Sequence, residues 1–219
     1  MQQYLPLLQK TALFEGLSPA DIQAMLPCLR ARVQTYTRGS YVFSAGDTVE
    51  SVAILLAGQL HIRQDDYWGR RILVSIVQPG DMFGEAYALP GSGPIFQDAA
   101  VTEDSQVLFL DIERLLWPCT SGCTFHGRAM HNLYRAISQR NRHLLQRLFL
   151  VSRHSTREKV ISYLSQEARR QQSSTLTLPL NRQQLADFLA VDRSALSAEL
   201  SRMQKDGLIT FRKNHFILH

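Results

Sequence analysis

The sequence predicts an α+β chain in three parts. A β-rich N-terminal domain, an antiparallel sandwich or barrel, leads to one long helix. A C-terminal pair of short helices with a hairpin, a winged helix-turn-helix, follows. Three observations predict this. Residues 31–111 alternate short β-rich runs with glycine-centred turns at a spacing of roughly ten residues, the texture of an antiparallel sandwich or barrel. Residues 125–151 carry an apolar repeat of seven. Residues 179–212 carry two helical stripes separated by Ala190-Val191-Asp192, too short for a loop with structure of its own.

Those last stripes are specific. Leu185 and Leu189 lie one turn apart, and Leu196, Leu200 and Met203 repeat the stripe further on. Ala186 is small where two helices must cross closely, and the apolar Val191 packs the turn inward. Asp192 suits the N-cap of the second helix, its carboxylate accepting from a free amide. The outward face of that helix carries Arg193, Ser194, Ser197, Ser201, Arg202 and Lys205. Arg193 sits in the first turn, where the helix dipole disfavours a cation. A cation held against that preference fits work outside the fold, and its guanidinium fork matches O6 and N7 of a guanine in the major groove. Leu208-Ile209-Thr210-Phe211 and Phe216-Ile217-Leu218 flank Arg212-Lys213-Asn214-His215, which predicts a two-stranded wing with a basic tip. That tip reads either as a DNA-backbone contact or as a solvated turn. Double-stranded DNA is the expected partner.

The length of 219 residues suits one large domain or two modest ones. The net charge of +5 is unevenly placed: residues 125–219 hold 16 Lys and Arg against 6 Asp and Glu, and residues 1–124 hold 8 against 13. A basic part beside an acidic one fits a polyanion reader joined to something else. No apolar run is long enough to cross a bilayer, and no basic segment followed by an apolar core opens the chain. A cytoplasmic location with no membrane partner is therefore expected. Three cysteines in such a chain read as free thiols rather than a disulfide framework. The β-rich region holds one histidine, His61, and no His-x-His pair, which argues against a metal-dependent jelly-roll enzyme; no enzymatic activity is expected.

In chain order, Ser18-Pro19-Ala20-Asp21 starts a helix that runs to about Leu29. Turns are expected at Arg38-Gly39, Gly46-Asp47, Ala57-Gly58, Trp68-Gly69 and Gly80-Asp81. The two most apolar runs, residues 52–56 and 72–77, are expected to form the core. Gly80-Asp81-Met82-Phe83-Gly84-Glu85-Ala86 ends a strand and opens a turn rich in amides, able to hold an anion on its N–H groups and hydroxyls on Glu85. Along residues 125–151, Met130, Ile137, Leu144 and Val151 recur every seven, with Tyr134, Asn141 and Leu148 four after the first three. That is a heptad seam in which Asn141 fixes register and two-strandedness, so a homodimer is expected. Residues 151–156 form the expected hinge, and Ser155 or Thr156 caps a helix to about Arg170. Leu176-Thr177-Leu178 is a short strand before the first reading helix.

Gly39, Gly46-Asp47, Leu55-Leu56-Ala57-Gly58, Gly80-Asp81 and Phe83-Gly84-Glu85, followed by this helix-turn-helix, resemble the Crp/Fnr family of bacterial transcription regulators. The resemblance spans nearly all of the sequence. It implies an α+β chain with a cyclic-nucleotide-binding-like β-roll effector domain, a double-stranded β-helix of jelly-roll type, over residues 1–118, a dimerisation helix and hinge over 119–153, and a winged helix-turn-helix DNA-binding domain over 154–219. It further implies a homodimer on a palindromic site, RNA polymerase as a protein partner, and a small-molecule effector whose identity, like that of any cofactor, stays unknown. Asn181, Arg182 and Gln183 would meet phosphates at the first helix. Arg193, Ser194 and Ser197 would face bases, with Arg202 further along. The effector pocket is expected around Phe83, Gly84, Glu85, Ala86, Ile95, Phe96 and Leu144.

The chain also departs from the family pattern. Many members carry glutamate after the recognition arginine and a second arginine one turn on; here Ser194 and Ala198 stand there. Cyclic-AMP binders place an Arg-Ser pair on the phosphate, where ungapped alignment puts Pro94-Ile95, and residues 72–113 contain no arginine. Cyclic AMP is therefore not the expected effector. Leu144 and Leu145, near where those members set a hydroxyl pair against the base, suit an apolar ligand better. Cys119-x3-Cys123-x2-His126 is open to two readings, idle thiols or a redox, haem or metal sensor. The N-terminal cysteine cluster of the family's iron–sulfur members is absent.

Overall fold

The computed structural model describes residues 2–65, 67–68, 71–116 and 125–219. The chain packs as two compact units, Met1–Ile137 and Ser138–His219.

In the first unit, α1 (Leu5–Leu8) and α2 (Pro19–Cys28) precede the strands. The start of α2 is a reciprocal cap: Ser18 Oγ accepts from the Asp21 amide, and the Asp21 carboxylate accepts from the Ser18 amide, both at 3.1 Å. Hydrogen bonds from Ser18 hold the Asp21 carboxyl below its ordinary range. The strands are β1 (Arg32–Tyr36), β2 (Tyr41–Phe43), β3 (Val52–Asp65), β4 (Arg71–Val77), β5 (Met82–Phe83) and β6 (Asp98–Leu110). They form an antiparallel sheet in the order β1-β6-β3-β4, with β2 also on β6 and β5 also on β3. The two long strands β3 and β6 are its spine, paired from Val52 with Leu110 to Arg63 with Asp98.

These strands bury both faces. On β3, Val52, Ile54 and Leu56 join Ile22 and Met25 of α2 in one core. Ala53, Leu55 and Leu60 join Val77, Phe83 and Phe109 in another. The period of two thus divides a single apolar run between two cores, which is why residues 52–56 read as continuous rather than alternating.

Two sequence expectations fail here. Residues 72–77 are apolar but mostly not core: Ile72, Leu73, Val74 and Ile76 are 45–56% exposed, and only Val77 is buried. The reason is position, since β4 pairs only with β3 and lies at the sheet edge. Ala57-Gly58 does not turn the chain either; β3 runs straight through it for 14 residues. Gly58 instead sits in a bulge with φ +88°, where the register against β6 shifts. β6 passes so close that a Cβ on Gly58 would press into the Ser105 hydroxyl and the Asp104 carbonyl, and come within 2.8 Å of Ser105 Cα.

After α3 (Glu113–Leu116), helix α4 (Phe125–Val151) contributes its first half to this unit. The Asn132 side chain, 4% exposed, donates to the carbonyls of Leu13 at 3.1 Å and Glu15 at 2.8 Å. Arg128 donates to Gly16 O at 2.8 Å, and Arg135 pairs with Glu15. Further along, residues 139–149 are exposed throughout. Leu144, Leu145, Leu148 and Phe149 are 49–62% exposed.

The second unit adds α5 (Thr156–Gln171), β7 (Thr175–Thr177), α6 (Arg182–Leu189), α7 (Arg193–Lys205), β8 (Ile209–Arg212) and β9 (His215–Leu218) to the end of α4. Ser155 caps α5, its hydroxyl accepting from the Glu158 amide at 3.1 Å. The strands form a sheet in the order β7-β9-β8. Every stripe residue expected inside is inside: Leu185, Leu189, Leu196, Leu200 and Met203 share one core with Leu150, Val160, Leu164 and Phe216. Tyr163 packs on Phe188 at 5.4 Å, and burial pushes its phenol up to about 12. Glu199 on α7 is 8% exposed and is held by Arg157 of α5 at 2.8 Å and by Arg202 at 3.0 Å. Arg157 also pairs with Asp206, so one ionic cluster ties α5 to α7. No helix among the described residues is long and apolar enough to cross a membrane.

The close approach at Gly58 predicts a contrast between two glycines. Gly58→Ala combines backbone strain with overpacking and should cost about 2–5 kcal/mol. Gly39→Ala, with φ +90° but nothing within 4 Å of the added methyl, should cost about 1–2 kcal/mol. Urea unfolding of the two variants measures the difference; equal losses would remove the β6 approach as the constraint.

Candidate functional site

The junction of α6 and α7 is built locally. Asn181 caps α6, its Oδ1 accepting from the Gln184 amide at 2.9 Å while Gln184 Oε1 accepts from the Asn181 amide at 2.8 Å. Ala190 ends the helix in the left-handed region at φ +50°, and the Val191 amide donates to Ala186 O at 3.0 Å. Asp192 has N-cap backbone angles, but contrary to expectation its carboxylate makes no capping bond. The turn backbone sets the start of α7 by itself, with the Leu196 amide on Asp192 O at 2.8 Å, and the carboxylate is left on the exposed side.

The expected DNA-facing residues differ in what they are free to do. Arg193 and Ser194 are exposed at the start of α7. The Ser197 hydroxyl donates to Arg193 O at 2.9 Å, and Ser201 to Ser197 O at 3.0 Å, so both protons point back into the helix. Arg202 leans on Glu199, although its side chain stays 70% exposed. Gln183 donates to Asp187 at 2.8 Å, and the Asn181 oxygen is committed to the cap.

Arg182 is half-buried against the wing. Its guanidinium lies 5.1 Å from the Phe211 ring centroid and 5.9 Å from that of Phe216, and Nη2 donates to Lys213 O at 3.4 Å. Burial first, and then the nearby charge of Arg193, lowers its pKa below the ordinary arginine value. Phe211 and Phe216 face each other across β8 and β9 and stack at 5.7 Å. Sequence reasoning assigned Arg182 to phosphate alone and missed this packing. The signal available was the pair of aromatics either side of a short basic turn.

The wing turns at Lys213-Asn214, with Lys213 at φ +56°; Arg212 and His215, expected in the turn, are strand ends. Asn214 ties the tip to the stem of β7 by two bonds with Leu178, each 2.9 Å. A cavity of about 470 Å³ lies between the start of α6 and this tip, lined in part by Asn181, Arg182, Gln184, Lys213 and Asn214. Arg182 and Lys213 thus line one cavity, and Arg193 is near enough for its charge to act on Arg182.

The expected effector residues do not converge in this way. Phe83 and Ile95 are 5% and 6% exposed and belong to different cores. Phe83 meets Phe43 edge-on at 5.8 Å, and Gly84, at φ +77°, sits under the same Phe43 ring. Ile95 is bonded through its backbone to Gly46 at 2.8 Å and Asp47 at 2.9 Å. Glu85 is half-buried, Ala86 is exposed, and Phe96 is 65% exposed with its ring edge-on to Tyr87. Leu144 lies in the second unit and is 56% exposed. A cavity of about 430 Å³ does occur in the first unit, but none of these residues lines it.

Cys119 and Cys123 lie outside the described residues. His126 is 8% exposed and its Nδ1 has no hydrogen-bond partner among the described residues. Among them, too, no three His, Cys, Asp or Glu side chains come together to hold a metal ion.

Comparison with known proteins agrees with this layout. Residues 33–119 match the cyclic nucleotide-binding domain, and residues 158–219 match the Crp-like helix-turn-helix domain. The chain is 25% identical over 206 residues to the transcriptional activator protein FnrL of Cereibacter sphaeroides, covering 84% of this chain and 75% of that protein. It is 28% identical over 211 residues to the nitrogen fixation regulation protein FixK of Rhizobium meliloti, covering 90% and 85%. Among solved structures, the catabolite activator protein of Thermus thermophilus shares the fold, with a TM-score of 0.57 at 22% identity over 95% of this chain and 94% of that one.

Arg182→Ala should destabilise the chain by about 0.5–2 kcal/mol through lost packing on the two phenylalanines. Urea unfolding, with the exposed Gln183→Ala as the control, checks this. Equal stability of the two variants would mean that the guanidinium does not support the wing.

Proposed function

Because this chain belongs to the Crp/Fnr family of transcription regulators, we propose that it acts as a homodimer on a palindromic double-stranded DNA site, and that its β-roll answers to a small molecule other than cyclic AMP. In this reading residues 1–118 form the effector domain, 119–153 the dimerisation helix and hinge, and 154–219 the reading head. RNA polymerase is the protein partner, the location is cytoplasmic, and the chain has no enzymatic step.

One observation carries the DNA reading. Arg193 stands exposed at the first turn of α7, beside Arg182 and the Lys213 tip, so a base-reading fork is flanked by cations from the preceding helix and the wing. The flanking cations hold phosphates and set register, while Arg193, with Ser194 and Ser197, meets base edges. Asn181 and Gln183 offer the phosphate their remaining N–H groups, and Arg202 sits at the rim.

The dimer reading is supported by α4. Tyr134, Ile137, Leu144 and Leu148 on the seam are 43–73% exposed, an apolar stripe that a single chain leaves in water. The exclusion of cyclic AMP is supported by Pro94 and Ile95, which stand where ungapped alignment puts the arginine and serine of cyclic-AMP binders, the Ile95 side chain being part of the core. Taking a cyclic phosphate out of water without that charge leaves Glu85 to repel it. A second reading, redox or metal sensing through Cys119, Cys123 and His126, is favoured by the buried His126 Nδ1, which has no hydrogen-bond partner among the described residues. The described residues do not complete a donor set, so no step is routed through a metal.

Three outcomes are expected. Arg193→Ala weakens specific binding by about 1–3 kcal/mol and relaxes one base position per half-site, read by binding-site selection; an unchanged selected motif would remove Arg193 from base reading. Wild-type protein sediments as a dimer at micromolar concentration and protects half-sites about 34 Å apart, and Asn141→Leu broadens the oligomer distribution without unfolding the chain; a wild-type monomer would defeat the interface. Calorimetric titration with cyclic AMP shows no micromolar binding coupled to tighter DNA affinity, and such coupling would overturn the exclusion.

A further inference from the structure

The cavity of about 430 Å³ in the first unit lies between the α2–β1 junction, residues 48–51, the loop of residues 87–93, and the end of β6. Its volume falls in the ordinary range of small-molecule sites, about 300–1,000 Å³. Gly84 and Glu85 do not line it, although Tyr87, which does, donates its amide to Gly84 O at 3.0 Å, and its chemistry is mixed in a specific way. Arg32 lies over the Phe109 ring at 5.4 Å, and its guanidinium donors have no hydrogen-bond partner among the described residues. Glu50 and Glu113 have neither hydrogen bond nor ion pair there, whereas Asp111 is neutralised by Arg114 at 3.3 Å and, more loosely, by Arg30 at 4.0 Å. Ser51 is 8% exposed, lines the cavity, and has a hydroxyl without a partner among the described residues. A ligand or water in the cavity can bond that hydroxyl.

We infer that this cavity binds a free α-amino acid. A simple anion entering it meets Glu50 and Glu113, and a simple cation meets Arg30 and Arg32. An apolar molecule leaves Ser51 unsatisfied and strips water from both kinds of charge. A small zwitterion meets each need: its carboxylate faces the fork of Arg32, its ammonium faces Glu50 and Glu113, and its side chain lies over the buried Val49 and Ala88. Asp111 and Glu113 also belong to the stretch by which the chain leaves β6 for α3. A ligand bridging them to residues 48–51 favours whichever path of that stretch binds it best. The effector role rests on the sensor reading above; the binding site does not.

The test is calorimetry on the full chain with a panel of the common L-amino acids at millimolar concentration, and with the N-acetyl and methyl-ester forms of the best binder. At least one free amino acid binds at one site per chain, and both blocked forms bind at least tenfold more weakly. Arg32→Gln and Glu50→Gln each weaken binding at least tenfold with the chain still cooperatively folded, and Ser51→Ala weakens it several-fold. No binder in the panel, equal binding of a blocked form, or indifference to Arg32→Gln and Glu50→Gln overturns the site. DNA affinity with and without the amino acid is read separately on the selected operator. Binding without any change there overturns the effector role alone, whereas failure to select any operator sinks the DNA reading and leaves the calorimetry standing.

Discussion

The pairing of β3 with β6 is the constraint on which the N-terminal unit depends. Two strands of 14 and 13 residues lie antiparallel with both faces buried, so each successive side chain must suit a different core. Leu108 and Leu110 serve the core shared with α2, and Val107 and Phe109 serve the other. A slip of one residue would exchange the two sets, which is why register is tightly specified along this pair. At Gly58, in the bulge of this pairing, an added Cβ would come within 2.8 Å of Ser105 Cα, which leaves no room for even a methyl group.

In the second unit the comparable constraint is ionic. Glu199 lies almost wholly inside the unit, and a carboxylate there is tolerable only because Arg157 and Arg202 bond its two oxygens. The cluster fixes the rotation of α7 against α5, and the rotation of α7 decides which residues it presents outward. Arg182 does for the wing what Glu199 does for the helix. Its planar cation spreads over two stacked phenylalanines while a donor reaches the Lys213 carbonyl, so the wing and the start of α6 are held together by one side chain.

Charge and apolarity are sorted to match. The basic residues collect in the part that carries the helix-turn-helix, and the acidic excess lies in the β-rich part. Between them α4 anchors its start through Asn132 and Arg128 and buries Leu150 near its end, while residues 139–149 are left without cover. An exposed leucine is ordinary. Leu144, Leu145, Leu148 and Phe149 together on one helix are a face that asks for a partner.

What the sequence determined by itself was everything that repeats over short distances. The caps at Ser18 and Ser155, the stripe from Leu185 to Met203, the span of α4 and the two strands of the wing depend on neighbours three to seven residues away, so their periodicity is written in the chain. The family resemblance rested on the same short motifs and their order. The tertiary structure decided what depends on distant neighbours. Residues 72–77 are as apolar as residues 52–56, yet only sheet position makes one run an edge and the other a core. Gly58 reads as a turn glycine until β6 is laid beside it. Asp192 has the right identity for a capping bond that the turn leaves unmade. Arg182 meets residues 211 and 216, and Phe83 and Ile95 part into separate cores, because contacts across the fold carry no period that a single sequence can display.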